Sequence, residues 1–168
     1  MFTTNINMNI FSFFKLKNKT DWSILKRSGE IYPQKFTLLI VENQQGELTN
    51  GWIDFGYVNY KYKNYCPYFV QCSVELEDIF ISSGAEIIKI ENYIVNMLKE
   101  ICVVHPVAQM HYDNKLVINL YVDNCDYVSQ VLAEAHKNQM NLKFEFKVSF
   151  DEEWKEYDLI LTQIKTLP

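Results

Sequence analysis

The feature that most constrains this chain is a set of changes in hydrophobic period downstream of residue 67. Tyr68, Val70, Cys72, Val74 and Leu76 alternate with Gln71, Ser73 and Glu75, which predicts a strand with one apolar face. Ser83-Gly84-Ala85-Glu86 then has the form of a capping box, in which hydroxyl and carboxylate each satisfy an orphan amide. Ile87, Ile90, Ile94, Leu98 and Ile101 follow at steps of three and four, the stripe of a one-sided helix. Val103 to Tyr112 and Leu116 to Val122 read as two strands joined at Asp113-Asn114, a short turn signal. Asp126 opens a second helix with Val128, Val131, Leu132 and Ala135 on one face. Leu142, Phe144, Phe146, Val148 and Phe150 alternate with Lys143, Glu145, Lys147 and Ser149 as a last strand. Asp151 then caps a terminal helix carrying Trp154, Tyr157 and Leu161. From residue 68 the order is β-α-β-β-α-β. That predicts an α+β, ferredoxin-like antiparallel sheet with both single-faced helices on one side.

Upstream, Trp22–Lys26 and Phe36–Val41 read as a hairpin, with Ser28-Gly29-Glu30 and Pro33 between them. A polar loop runs from Asn43 to about Asn50-Gly51. Trp52–Tyr60 reads as a further strand, and Lys61–Pro67 as a connection, since Pro67 cannot sit inside a central strand. These N-terminal strands either extend the sheet or shield its open face, with the aromatic residues between Trp52 and Phe69 as covering material. The expected organisation is a tail over 1–20 and one domain over 21–168. Within that domain, 21–66 holds the N-terminal strands, 67–150 the ferredoxin-like core and 151–168 the C-terminal helix. At 168 residues and 48% apolar, the chain is long enough for one real core and too apolar for disorder.

Cys66, Cys72, Cys102 and Cys125 include no Cys-x-x-Cys and sit behind no signal-like leader, so they read as reduced thiols of a cytoplasmic protein. No stretch approaches the ~18 apolar residues of a membrane span. Met8–Lys17 mixes Phe and Lys in a pattern open to two readings, a membrane-surface helix or a docked terminus, and Met8 is an alternative start.

Catalytic chemistry has few footholds. His105 and His111 share strand parity and hence an expected face, but six residues put them about 20 Å apart, too far to chelate one ion. His136 falls late in a helix, where the dipole favours a cation. Cys102 precedes His105 across a helix-to-strand junction that gives their side chains no reason to converge. No phosphate-cradling glycine motif occurs. Neither cofactor nor metal is expected. Residues 1–35 carry net charge +4 and residues 36–168 carry −9, which disfavours nucleic acid and suits a basic protein partner. The candidate contact residues are the acidic clusters Glu75, Glu77, Asp78 and Asp151, Glu152, Glu153, Glu156, Asp158.

The closing Ser149-Phe150-Asp151-Glu152-Glu153-Trp154-Lys155-Glu156-Tyr157 resembles the Asp-Pro-Glu-Trp-x-x-Tyr close of the bacterial family called domain of unknown function six-nine-five. Asp21-Trp22 and Tyr65-Cys66-Pro67-Tyr68 are similar to other parts of that family, so the resemblance spans roughly 21–161. Glu152 replaces the usual proline, and Leu159-Ile160-Leu161 replaces an apolar-Tyr-Pro ending. The family brings no catalytic residues. Its distant link to the regulator B of ribonuclease E activity, an acidic protein that inhibits its enzyme by binding, implies a protein-binding role by analogy. The expected function is a non-enzymatic interaction domain that inhibits or regulates a basic partner such as a nuclease or toxin. One alternative is a small-ligand binder or enzyme with a tyrosine-lined pocket between the N-terminal strands and the sheet. Another is a structural module that oligomerises through an edge strand.

Overall fold

The computed structural model describes residues 34–42, 48–76, 84–112, 114–138 and 143–165. The tail over 1–20, the strand expected over 22–26, Ser83 of the capping box, Asp113 of the turn, and Glu77 and Asp78 of the first acidic cluster lie outside these. Along the chain run β1 (Phe36–Glu42), β2 (Leu48–Asp54), two 3-10 turns (Phe55–Tyr57 and Lys63–Tyr65) and β3 (Tyr68–Glu75). Next come α1 (Gly84–Lys99), β4 (Val104–Tyr112), β5 (Lys115–Val122), α2 (Asp126–Asn138), β6 (Phe144–Phe150) and α3 (Lys155–Lys165).

All six strands join one antiparallel sheet in the order β1-β2-β4-β5-β3-β6. The fold is α+β. Its strand order is not that of a bare four-stranded sheet, because β1 and β2 add themselves beside β4. One face of β3 and β5 (Val70, Cys72, Val74, Leu116, Ile118, Leu120 and Val122) packs under the apolar stripes of α1 and α2. The opposite face is covered as well. Tyr57, Tyr60 and Cys66 from the β2–β3 connection, with Trp154, Tyr157 and Leu161 from the C-terminal segment, cover Phe69, Val107 and Tyr121. Double cover explains why β5 is buried at every position from Leu116 to Val122.

Three local expectations change. Trp52–Tyr60 is not one strand. It stops at Asp54, whose carboxylate accepts the amides of Gly56 (2.8 Å) and Lys35 (2.7 Å) and so turns the chain into the 3-10 segment. The polar loop ends earlier than expected, because Leu48–Gly51 already pairs with β1. Gly51 belongs in that strand for a steric reason, since a Cβ there would meet the Gln109 carbonyl oxygen at 2.2 Å and Met110 Sδ at 2.8 Å. Gly51→Ala should therefore push β2 off β4 and destabilise the fold by about 2 kcal/mol or more, read as a lower urea midpoint; an unchanged midpoint would refute the close approach.

The third change concerns the histidines. A bulge between Pro106 and Ala108 inserts Val107 and inverts the parity of β4. His105 therefore pairs with Tyr121 on the aromatic face, while His111 pairs with Leu116 on the helix-covered face. The two imidazoles do not share a face.

Candidate binding groove beside the edge strand

The acidic residues do not form one surface. Glu75 ends β3, opposite Lys115 in register, with Lys143 bordering the same cleft. Asp151 lies at the other end of that strand, its amide donating to the Pro67 carbonyl at 2.7 Å, about 25 Å away at the strand rise. Asp151 is engaged internally. It accepts from the Tyr121 hydroxyl (2.6 Å) and from the amides of Lys155 and Glu156 (both 2.9 Å). Burial pushes its carboxyl up, but these donors outweigh that, the Tyr121 bond foremost, and hold it below the usual range. Glu152 and Glu153 are exposed, with Glu153 2.9 Å from Lys155 Nζ; Glu156 is half-buried, and Asp158 lies 3.9 Å from Lys63 Nζ.

Of the aromatic residues in the 52–69 region, Tyr57, Tyr60 and Phe69 pack in a second core with Phe55 and Tyr62 against it, whereas Tyr68 packs on the helix-covered face and Tyr65 is exposed. Trp154 stacks on Tyr121 at 3.9 Å and 7°, and Tyr57 and Tyr60 tilt against it at 5.5 and 5.4 Å. His105 is fully buried here, with Nδ1 3.1 Å from the Tyr57 hydroxyl and Nε2 3.2 Å from that of Tyr60. A neutral ring donates from one nitrogen and accepts at the other, so each hydroxyl takes the complementary role. Burial lowers its pKa to about 3. The Cys102 thiol donates back to the Leu98 carbonyl at 3.3 Å, and burial pushes it up to about 12. Such a thiol is no nucleophile near neutral pH. Cys72 is pushed up to about 12 in the same way. Among the described residues, no group of three or more His, Cys, Asp or Glu side chains is placed to hold a metal ion, and no helix is long and apolar enough to cross a membrane.

The open site lies on the helix-covered side, past α1. The β2–β4 ladder ends at Ile53↔Ala108 beside the bulge, and beyond it the strands part into a fork. There a groove of about 530 Å³ is lined by Phe36, Trp52, Asp54, Tyr57 and Pro106, with Glu91, Val95 and Lys99 of α1 along one wall. Phe36 meets Trp52 edge-on at 5.2 Å, and Trp52 Nε1 donates to Glu91 Oε2 at 3.3 Å. Burial raises the Glu91 carboxyl, an effect the indole bond only partly offsets.

Beyond the groove the apolar surface continues. β1 is the outer strand, paired among the described residues only with β2. Leu38 is in register with Trp52, so Phe36, Leu38 and Ile40 lie on the groove side, where they are 57, 84 and 77% exposed. On the facing helix, Ile88 is also exposed. Sequence reasoning singled out none of the groove residues as a site. The available signal was Phe36-x-Leu38-x-Ile40, a strand whose two alternate faces are not segregated into apolar and polar. No protein-family model, curated protein or solved structure matches the chain.

Proposed function

We propose that the chain is a non-enzymatic cytoplasmic interaction domain that takes up an extended, basic segment of a partner protein along β1, and by doing so inhibits or regulates that partner. A nuclease or toxin fits the charge. The observation that carries this reading is the row Phe36, Leu38 and Ile40, exposed on an outer strand whose second edge has no strand beside it among the described residues. A flat apolar edge is an aggregation hazard unless something covers it, and a peptide that adds a strand satisfies the backbone and the apolar row together. The net charge of −9 over residues 36–168 supports a basic occupant. The same reading treats β3-α1-β4-β5-α2-β6 as a ferredoxin-like unit, supported by its spatial order β4-β5-β3-β6, with β1 and β2 as an appended docking hairpin. The acidic runs at Glu75 and at Glu152–Asp158 then contribute long-range attraction rather than the contact itself.

Screening extended basic peptides against the full chain tests this. Bound peptide should protect the amides of residues 36–42 from exchange, and binding should weaken as salt rises. Leu38→Lys and Ile40→Lys should each weaken binding at least about tenfold while leaving folding stability within ~0.5 kcal/mol, because both side chains already face solvent. Peptide binding indifferent to both substitutions would overturn the assignment. The groove volume favours a second reading, a small-ligand binder or enzyme, since it falls in the ~300–1,000 Å³ range of such sites. A compound that perturbs Trp52 yet leaves exchange along β1 unchanged would favour that reading instead.

A further inference from the structure

We propose that the corner between Trp52 and Glu91 is a cation subsite, filled by a lysine or arginine side chain of the segment that lies along β1. This rests on the protein-binding reading above and adds what the partner must carry. Three observations converge on it. Phe36 and Trp52 meet edge-on at 5.2 Å and supply two aromatic walls, the surroundings in which an ammonium or guanidinium is held by the ring quadrupole. The Glu91 carboxylate stands beside them, half-buried, with the Trp52 indole as its hydrogen-bond donor and no ion pair among the described residues. Asp54, nearly fully buried and with its Oδ1 accepting the amides of Lys35 and Gly56, adds negative charge behind the lining rather than a second ligand.

Among the described residues, the one cation on the groove wall, Lys99, is two helical turns from Glu91, about 12 Å along α1, too far to neutralise it. An apolar side chain seated in the corner would strip more water from Glu91 and give nothing back. A cation recovers that loss, because an opposite charge at close range stabilises the ionised carboxylate. The chemistry of the corner thus selects the charged residue, and the apolar row on β1 selects the alternating residues next to it.

The probe is N-acetyl-arginine amide, titrated into the full chain while the Trp52 indole N–H resonance is followed by NMR, with assignment from Trp52→Phe. A saturable shift in the millimolar range is expected. The neutral isostere N-acetyl-citrulline amide should give none, and Glu91→Gln, which keeps an acceptor for the indole, should weaken the response at least about tenfold. An unmoved Trp154 indole resonance shows that the variant is folded. A wild-type resonance that stays still, or that moves equally with citrulline amide or in Glu91→Gln, overturns the subsite. Leu38→Lys separates the two claims. Loss of peptide binding with the arginine response intact supports both the β1 dock and the corner. Peptides that still protect β1 without any arginine response leave the dock standing and remove the subsite alone.

Discussion

Trp154→Ala should remove about 4 kcal/mol or more of folding stability, a large share of the ~5–15 kcal/mol that holds a domain of this size together. The side chain is fully buried, stacked on Tyr121 and wedged against Tyr57 and Tyr60. Its Nε1 donates to the carbonyls of Cys66 (2.9 Å) and Lys63 (3.1 Å), tying the second 3-10 turn to the start of α3. Truncation would open a cavity and leave both carbonyls without that donor. Trp154→Phe keeps most of the ring and isolates the second loss, for which about 1–3 kcal/mol is expected.

Backbone conformation adds a sharper test. Trp154 has φ 61°, the left-handed region that costs an L residue roughly 1–2 kcal/mol and a glycine almost nothing. Asp151 holds this turn in place through the amides of Lys155 and Glu156 on the far side of it. Trp154→Gly should therefore be no less stable than Trp154→Ala, although it is the smaller residue. Urea titrations of the three variants decide the point. A glycine variant clearly below alanine would mean that the turn stores no strain.

Acid should destabilise this protein well before its carboxylates are protonated, and His105 is the reason. An unfolded histidine binds its proton near pH 6.5, whereas buried His105 resists protonation until about pH 3. Between those values the unfolded chain carries the extra proton, so stability is complete above about pH 6.5 and falls as pH drops through the window. The slope from this one residue is about 1.4 kcal/mol per pH unit. Asp151, held below the usual carboxylate range, adds a loss of the same sign at the acid end. Glu91 and Asp123 act in the opposite sense, because burial raises both and the folded state then binds the extra proton. The comparison that isolates His105 is the urea midpoint against pH for wild type and for His105→Gln. The glutamine variant should start lower at neutral pH, since its amide meets Tyr57 and Tyr60 less well, and should lack the steep limb between pH 6.5 and 3. Parallel curves would assign that limb to other groups.

Much of the frame was legible in order along the chain. The alternation from Tyr68 to Leu76, the stripe from Ile87 to Ile101 and the alternation from Leu142 to Phe150 each depend on neighbours a few residues away, and each element forms near where its period predicts. The ends differ: α1 stops at Lys99 and leaves Ile101 exposed, Phe150 is exposed too, and Leu142 lies outside the described residues. Asp151 was legible as a cap for the same reason. Its bond to Tyr121 was not, because the partners are 30 residues apart. The acidic runs looked like one contact surface only because sequence says nothing of distance across a strand. A tyrosine-lined pocket between the N-terminal strands and the sheet was an open alternative, but the walls of this groove were not legible. Phe36, Trp52 and Glu91 come from three elements, and their residue types are ordinary for each element alone.

The amino-acid order determined which segments become strands and helices, and which face of each is apolar, because both depend on periods of two and 3.6 residues. The tertiary structure alone decided that β1 and β2 join the sheet beside β4, that a bulge at Val107 sends His105 and His111 to opposite faces, and which of the 52–69 aromatics, Tyr57, Tyr60 and Phe69, join Trp154 and Tyr157 in the second core. Those outcomes hang on contacts between residues dozens of positions apart. Local pattern carries no record of them, since a strand edge, a bulge and a fork are defined only by what packs beside them.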